Sequence, residues 1–224
     1  MTVRMSIFRK LPHLDQRAFE TYWRDEHAPI ALKIPLLERY EQNCATGSFQ
    51  SGDPALFRTI DGVCKLFFGS AEAMQGVMSP EMAQMLREDE ARFLHDLKTF
   101  VVSSRTVVPP SEDAGIKCIS FVTRRTDLDE TGFEGGWTGA HARWLASQPE
   151  VCGYVQNFVV SRTAERVPAD YEAIPIDCVD EIWLTPELEA LERFVQSVHE
   201  HAASHAAALN TFPVNVNVPT MPER

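Results

Sequence analysis

The chain has 224 residues, 44% of them hydrophobic and 24% charged, which is enough apolar material for one or two globular cores. Its formal charge of −11 repels a phosphate backbone and no Lys/Arg-rich run offsets this, so nucleic acid is excluded as a partner. Charged residues break the N-terminal MTVRMSIFRKLPH early, and no apolar run approaches about 18 residues, so neither a signal peptide nor a membrane span is expected and a cytoplasmic location follows.

Residues 3–8 mix β-branched and apolar side chains and predict a first strand. Asp15 then stands as a helix N-cap, and Phe19, Trp23 and His27 recur at i, i+4 and i+8, on one helical face that ends between Pro29 and Pro35. Residues 37–46 read as a second strand, 47–59 as a polar loop and 63–68 as a third strand. Ser70 caps a short helix, and Ser79-Pro80-Glu81 starts another, whose apolar stripe runs through Met82, Met85, Leu86, Phe93 and Leu97. Residues 99–108 form a fourth strand, which completes a βαββαβ order, and the Pro109-Pro110-Ser111-Glu112-Asp113 stretch is a linker.

The stretch 19–43 returns 114 positions later. Nine of its 25 residues recur in register: Phe19/Phe133, Glu20/Glu134, Trp23/Trp137, His27/His141, Ala28/Ala142, Pro35/Pro149, Tyr40/Tyr154, Gln42/Gln156 and Asn43/Asn157. Strands are predicted at 116–122, 153–161, 179–184 and 212–218, with helices at 128–147 and 186–209. Asp61/Asp177 and Thr99/Thr211 continue the correspondence at offsets of 116 and 112. The expected fold is α+β: two tandem ferredoxin-like units, 1–108 and 116–224, whose open sheet faces pair within one chain as an intrachain dimeric α/β barrel. That pairing makes a monomer with an internal pseudo-dimer, or a homodimer of such chains.

The run F-x-x-Y-W-x-x-E-H-A-P, followed by I-P and R-Y-E-Q-N, resembles the EthD domain of the dimeric α/β barrel superfamily, and the order of elements agrees. The resemblance implies the barrel fold, and a place among cofactor-free isomerases, decarboxylases, cyclases of aromatic polyketides and monooxygenases. It fixes fold more firmly than chemistry.

Candidate catalytic residues follow from residue type. A free histidine side chain changes charge near neutral pH, so His27 is a candidate proton shuttle, or it hydrogen-bonds the backbone where the helix breaks. Tyr40 and Asn43, on opposite faces of one strand, are candidates to orient a substrate, and Asp61 is either a base or a turn residue. Trp23 and Phe19 fill the core or wall a pocket, and His141 and Tyr154, the second-copy counterparts of His27 and Tyr40, are candidates for substrate contact. Copy two reads Gly139-Ala140 where copy one has Asp25-Glu26, and it carries Gly135-Gly136 in its helix, so the first half is expected to hold the chemistry, with His27 and Tyr40 in the wall of the largest pocket.

His199, His201 and His205 lack the i, i+4 spacing of a helical zinc pair and read as a solvated face. Cys44, Cys64, Cys118, Cys152 and Cys178 are odd in number and never CxxC, so they read as small buried hydrophobes with no disulfide or metal framework. No glycine-rich phosphate loop, GxSxG or HExxH occurs. The expectation is a cofactor-free and metal-free acid/base enzyme, a lyase, isomerase or decarboxylase, acting on a small aromatic or lactone-like metabolite. A haem-linked or cofactor-independent monooxygenase and a non-catalytic small-molecule binder stand as alternatives.

Overall fold

The computed structural model describes residues 1–52, 59–75, 78–186 and 190–222. Its strands are β1 (Thr2–Lys10), β2 (Leu37–Ala45), β3 (Phe49–Ser51), β4 (Gly62–Phe68), β5 (Leu94–Val108), β6 (Ile116–Arg124), β7 (Val151–Ala164), β8 (Val167–Pro168), β9 (Cys178–Leu184) and β10 (Ala206–Asn217). Helices α1 (Gln16–Tyr22) and α2 (Ala28–Ala31) are fused through a π-helical turn at Trp23–His27, and α5 (Glu130–Gly136) and α6 (Ala142–Ala146) through another at Trp137–His141. The remaining helices are α3 (Ala71–Gln75), α4 (Pro80–Glu90) and α7 (Leu191–Ala202).

The strands run in the order β2-β4-β1-β5-β7-β9-β6-β10-β3, and a further β2–β10 pairing returns the sheet to its start. The protein is therefore a mixed α/β fold around a closed, antiparallel eight-stranded barrel. The strands before and after the linker repeat one spatial order, β2-β4-β1-β5 and β7-β9-β6-β10, and meet edge to edge at the β5–β7 and β10–β2 seams. Closure leaves these eight strands without a free edge for another chain to pair with.

Side-chain alternation sorts the core into an inside and an outside. Val3, Met5 and Ile7 of β1 point into the barrel with Val63, Phe100, Ile119, Phe121, Val179 and Phe212. The opposite faces carry the helices. Phe8, Phe19, Trp23 and Phe93 pack under α1, while Cys118, Phe133, Trp137, Leu145 and Val198 form the corresponding layer later in the chain. Gly62 sits so close under the first layer that a Cβ would come within 2.5 Å of Phe8 and 2.8 Å of Trp23.

Six buried polar side chains also face the interior. Glu181 pairs with both Lys65 and Lys117, Lys117 pairs with Glu41 and donates to Asn43 Oδ1 at 3.0 Å, and Asn157 Nδ2 donates to Glu181 Oε2 at 3.1 Å. Two ammonium groups thus face two carboxylates. Burial alone would raise the Glu181 carboxyl, but Lys117 and Lys65 outweigh it and hold it well below the usual carboxylate range.

Each π turn is tied to the sheet by a polar knot. Gln42 Nε2 donates to the Trp23 carbonyl at 2.8 Å and to Tyr40 Oη, which also accepts from Trp23 Nε1 at 2.7 Å. Gln156 repeats this on the Trp137 carbonyl and Tyr154 Oη, with Asp180 now accepting from both Trp137 Nε1 and Tyr154. Each glutamine Oε1 accepts across a seam as well, from Asn217 at 2.6 Å and from Arg105 at 3.2 Å.

Several predicted elements shift. The helix expected over 186–209 lies partly outside the described residues at 187–189; its described part ends at Ala202, and Ala206 already pairs with Arg124 of β6. The alanine-rich run 206–208 favours helix by propensity, and pairing with the barrel overrides it. Helix α4 stops at Glu90, so Phe93 joins the layer under α1 from the turn before β5 and Leu97 from β5 itself, rather than from a helical stripe. The expected loop 47–59 contains β3 on the β10 edge, and its residues 53–58 lie outside the described ones.

Two stability predictions follow from these layers. Trp23→Ala removes a buried indole and the donor to Tyr40, and should cost about 3–5 kcal/mol in a urea melt; a loss near zero would contradict the packing. Asp180 is fully enclosed, and burial lifts its carboxyl from 3.8 to about 7. The folded state therefore holds this proton more tightly than the unfolded chain, and the parent loses stability from this group as pH rises across that window. Asp180→Asn should gain on the parent by on the order of a few kcal/mol between the acidic and alkaline ends of the window, read from paired urea melts; a pH-independent difference would contradict the assignment.

Candidate functional site

The site grows from the start of α1. Asp15 caps the helix, its Oδ1 accepting from Ala18 N at 2.7 Å, and the apolar face that follows lays Phe19 and Trp23 on Phe8, with Trp23 and Phe8 ring centroids 4.9 Å apart. The π turn then widens the helix by one residue, with Ala28 N donating to the Trp23 carbonyl, and carries His27 inward beside Phe93 at 5.0 Å. Helix α4, capped by Ser79, approaches from the other side and presents Asp89 from its last turn.

Asp89 Oδ2 lies 2.7 Å from His27 Nδ1, and Tyr22 Oη donates to Asp89 Oδ1 at 2.8 Å. Burial alone would raise the Asp89 carboxyl, but the hydrogen bonds from His27 and Tyr22 outweigh it and hold it below the usual range. An ionised carboxylate only accepts, so Nδ1 carries the proton and Nε2 is left as the basic nitrogen. His27 lines a cavity of about 400 Å³ whose wall includes Phe8, Trp23, Leu66 and Leu86. A carboxylate-held histidine opening into a cavity of mixed apolar and polar lining is suited to taking a proton from a weak carbon or oxygen acid.

The corresponding place in the second half holds no such pair. His141 Nδ1 meets His201 Nδ1 at 3.2 Å, the His141 ring stacks on Trp137 at 3.8 Å, and its Nε2 is buried without a partner. Burial, with His201 and His205 nearby, pulls His141 down to about 3, so it stays neutral and shut away. His201 stacks on Trp144 at 4.0 Å, and burial takes His199, bonded to Thr211, down to about 4, so these histidines pack against the sheet and are not a solvated face. Gly136 has its reason here: a Cβ would meet the His205 ring at 2.1 Å.

Of the predicted site residues, His27 and Trp23 line the cavity together. Tyr40 does not; its hydroxyl is consumed by Trp23 and Gln42 beneath the helix. Asn43 points the other way, into the barrel, where it donates to the Val63 carbonyl at 3.0 Å. Asp61 accepts from Lys10 N at 2.9 Å and acts as a loop latch, while Phe19 and Tyr154 are enclosed in the two helix-covered layers. The cavity is not the largest either: a groove of about 610 Å³ lies between β3 and α7. Asp25, expected to support His27, is exposed and pairs with Arg24.

Asp89 escaped the sequence reading because Arg87-Glu88-Asp89-Glu90 looks like a solvated helix face. The repeat contained the signal: at the 112 offset of Thr99/Thr211, Asp89 aligns with His201. Among the described residues, no group of three or more His, Cys, Asp and Glu side chains converges as a metal site, and no helix is long and apolar enough to cross a membrane.

Comparison with known proteins extends this picture. The chain superposes with TM-score 0.60 on an anthrone oxidase-like protein at 9% identity, over 97% of this chain and 92% of the other. A candidate monooxygenase from Fusobacterium nucleatum subsp. nucleatum ATCC 25586 gives 0.56 at 4% identity, over 98% and 94%, and one from Lactobacillus acidophilus NCFM gives 0.51 at 13%, over 98% and 96%. At such identities the likeness establishes the fold. No curated protein sequence matches. The expected lyase or isomerase chemistry is corrected by these comparisons, since the structures sharing the fold are named for oxidase and monooxygenase activity. In sequence, residues 11–96, which include His27 and Asp89, match the EthD domain.

Proposed function

We propose that the chain is a monooxygenase-type enzyme that uses no bound cofactor and oxidises a small aromatic compound with an acidic C–H bond. The observation that carries this is the His27–Asp89 pair opening into the cavity. The names of the proteins that share the fold support an oxygenase over other acid/base chemistry. We read the architecture beneath it as two tandem ferredoxin-like units, 1–108 and 116–224, paired as a pseudo-dimer within a soluble, cytoplasmic chain; the shared strand order and the repeated residues support that reading.

His27 Nε2 takes a proton from a methylene activated by an adjacent aryl ketone, and Asp89 stabilises the imidazolium that forms. The substrate carbanion gives up electrons to dioxygen and a C–O bond forms, leaving a peroxide that recovers the proton from His27. Loss of the second C–H proton then breaks the O–O bond, and hydroxide and proton leave as water. In balance, one methylene and one dioxygen become one ketone carbonyl and one water; all four electrons come from the substrate and no external reductant enters. Phe8, Trp23 and Leu66 keep the carbanion away from bulk water, where it would simply be reprotonated.

The test is dioxygen uptake by purified protein with anthrone as probe. His27→Ala should lower turnover by about 10²–10⁴, and Asp89→Asn should lower it by less, because the base remains but its tautomer is no longer held. His141→Ala should leave turnover at the parent's level. A folded His27→Ala variant that consumes oxygen like the parent would overturn the assignment.

A further inference from the structure

The cavity has a second polar end, built by the first strand. On the outer face of β1, Arg4, Ser6 and Phe8 follow one another, and all three line the cavity. Phe8 lies under Trp23, and Arg4 stands four residues away, about 13 Å along the strand. Between them Ser6 Oγ and Thr99 Oγ1 satisfy each other at 3.0 Å. Arg4 is left over: its side chain has no hydrogen bond or ion pair among the described residues, and its Nε is buried without a partner.

That arrangement is unfavourable for the empty protein, because a half-buried cation with an enclosed, unpaired N–H gains from a counter-charge. The neighbourhood supplies only a shared one, since Glu90 acts on Arg4 but is itself paired with Arg166. Arg4, Arg87 and Arg166 line the cavity with a single carboxylate, Glu90, and Glu90 is already paired with Arg166. Three guanidinium groups against one carboxylate leave a surplus of two positive charges, in a chain whose net charge is −11. A guanidinium with free donors is the side chain best matched to an oxyanion, which it meets through two parallel hydrogen bonds.

We propose that Arg4 receives an anionic oxygen of the ligand, so that the cavity selects fused aromatic compounds bearing an enolate, phenolate or carboxylate at the end remote from Trp23 and Phe8. This rests on the proposed role of the cavity and adds the ligand class. In the reaction, the oxygen held by Arg4 is the one onto which charge moves as His27 withdraws the proton, so the same contact that binds the ligand favours its deprotonation. Arg4 is a binding and specificity residue, and the spacing along β1 suits two or three fused rings lying between it and Trp23.

The experiment is isothermal calorimetry without turnover. The parent should bind 2-naphthoate at least tenfold more tightly than neutral 2-naphthamide, and Arg4→Gln should abolish that preference while leaving amide affinity unchanged. Arg4→Met serves as the second variant, and both should melt no lower than the parent, since each removes a cation whose Nε is buried without a partner. A third titration with 2-naphthol separates the oxyanion sources: weakening by Arg4→Gln in the naphthol arm supports a phenolate or enolate ligand, and weakening confined to naphthoate supports a carboxylate. A parent that binds neither probe or shows no preference overturns the proposal, as does an Arg4 variant that keeps the preference. Because dioxygen takes no part, this result is independent of whether anthrone is oxidised.

Discussion

Four charges sealed inside the barrel set the register of everything around them. Glu181 on β9 touches Lys65 on β4 and Lys117 on β6, and Lys117 reaches Glu41 on β2. Removing one member of such a set leaves an uncompensated buried charge, at about 3–5 kcal/mol, so a slipped strand is penalised far more than in a purely apolar barrel. The set crosses between the strands before the linker and those after it, which fixes how the two seams close. Closure in turn assigns the outer faces to the helices, and only there can a cavity form between helix and sheet. The His27 cavity is a consequence of that geometry.

The repeated strand order is combined with a difference in a few side chains. Both halves have a π turn, a glutamine that grips it and a histidine at its end. The partner of the histidine differs. Asp89 gives His27 a fixed tautomer and a counter-charge, whereas His201 gives His141 a second base that resists protonation. Stacking of these two rings on Trp137 and Trp144 then fills the space that a ligand would need. On the sheet side the Ser6–Thr99 hydrogen bond recurs as Ser120–Thr211, whereas Arg4 lines the cavity and its counterpart Cys118 is buried in the helix-covered layer.

Much of the element order was legible in the chain because it repeats itself, with the spacing of Phe19, Trp23, His27, Tyr40 and Gln42 matched by their later copies. What periodicity cannot show is where a hydroxyl or carboxylate is spent. Tyr40 and Asn43 have the right chemistry for a site, yet alternation on β2 sends one beneath the helix and the other into the barrel. Asp89 and Arg4 carry no signal of their own in the sequence, since each belongs to a run of polar or alternating residues whose surroundings depend on a partner element distant in sequence. The strand at 206–208 was hidden for the opposite reason, as its alanines signal helix until the barrel claims them.

The central claim is that Asp89 fixes His27 as the Nδ1–H tautomer and leaves Nε2 bare toward the cavity. Long-range ¹H–¹⁵N NMR of the histidine rings, at a pH where His27 is neutral, reads this directly. The account predicts a protonated, pyrrole-type Nδ1 and a pyridine-type Nε2 for His27, with that pattern lost in Asp89→Asn. A His27 ring protonated at Nε2 in the parent would contradict it, because no basic nitrogen would then face the cavity.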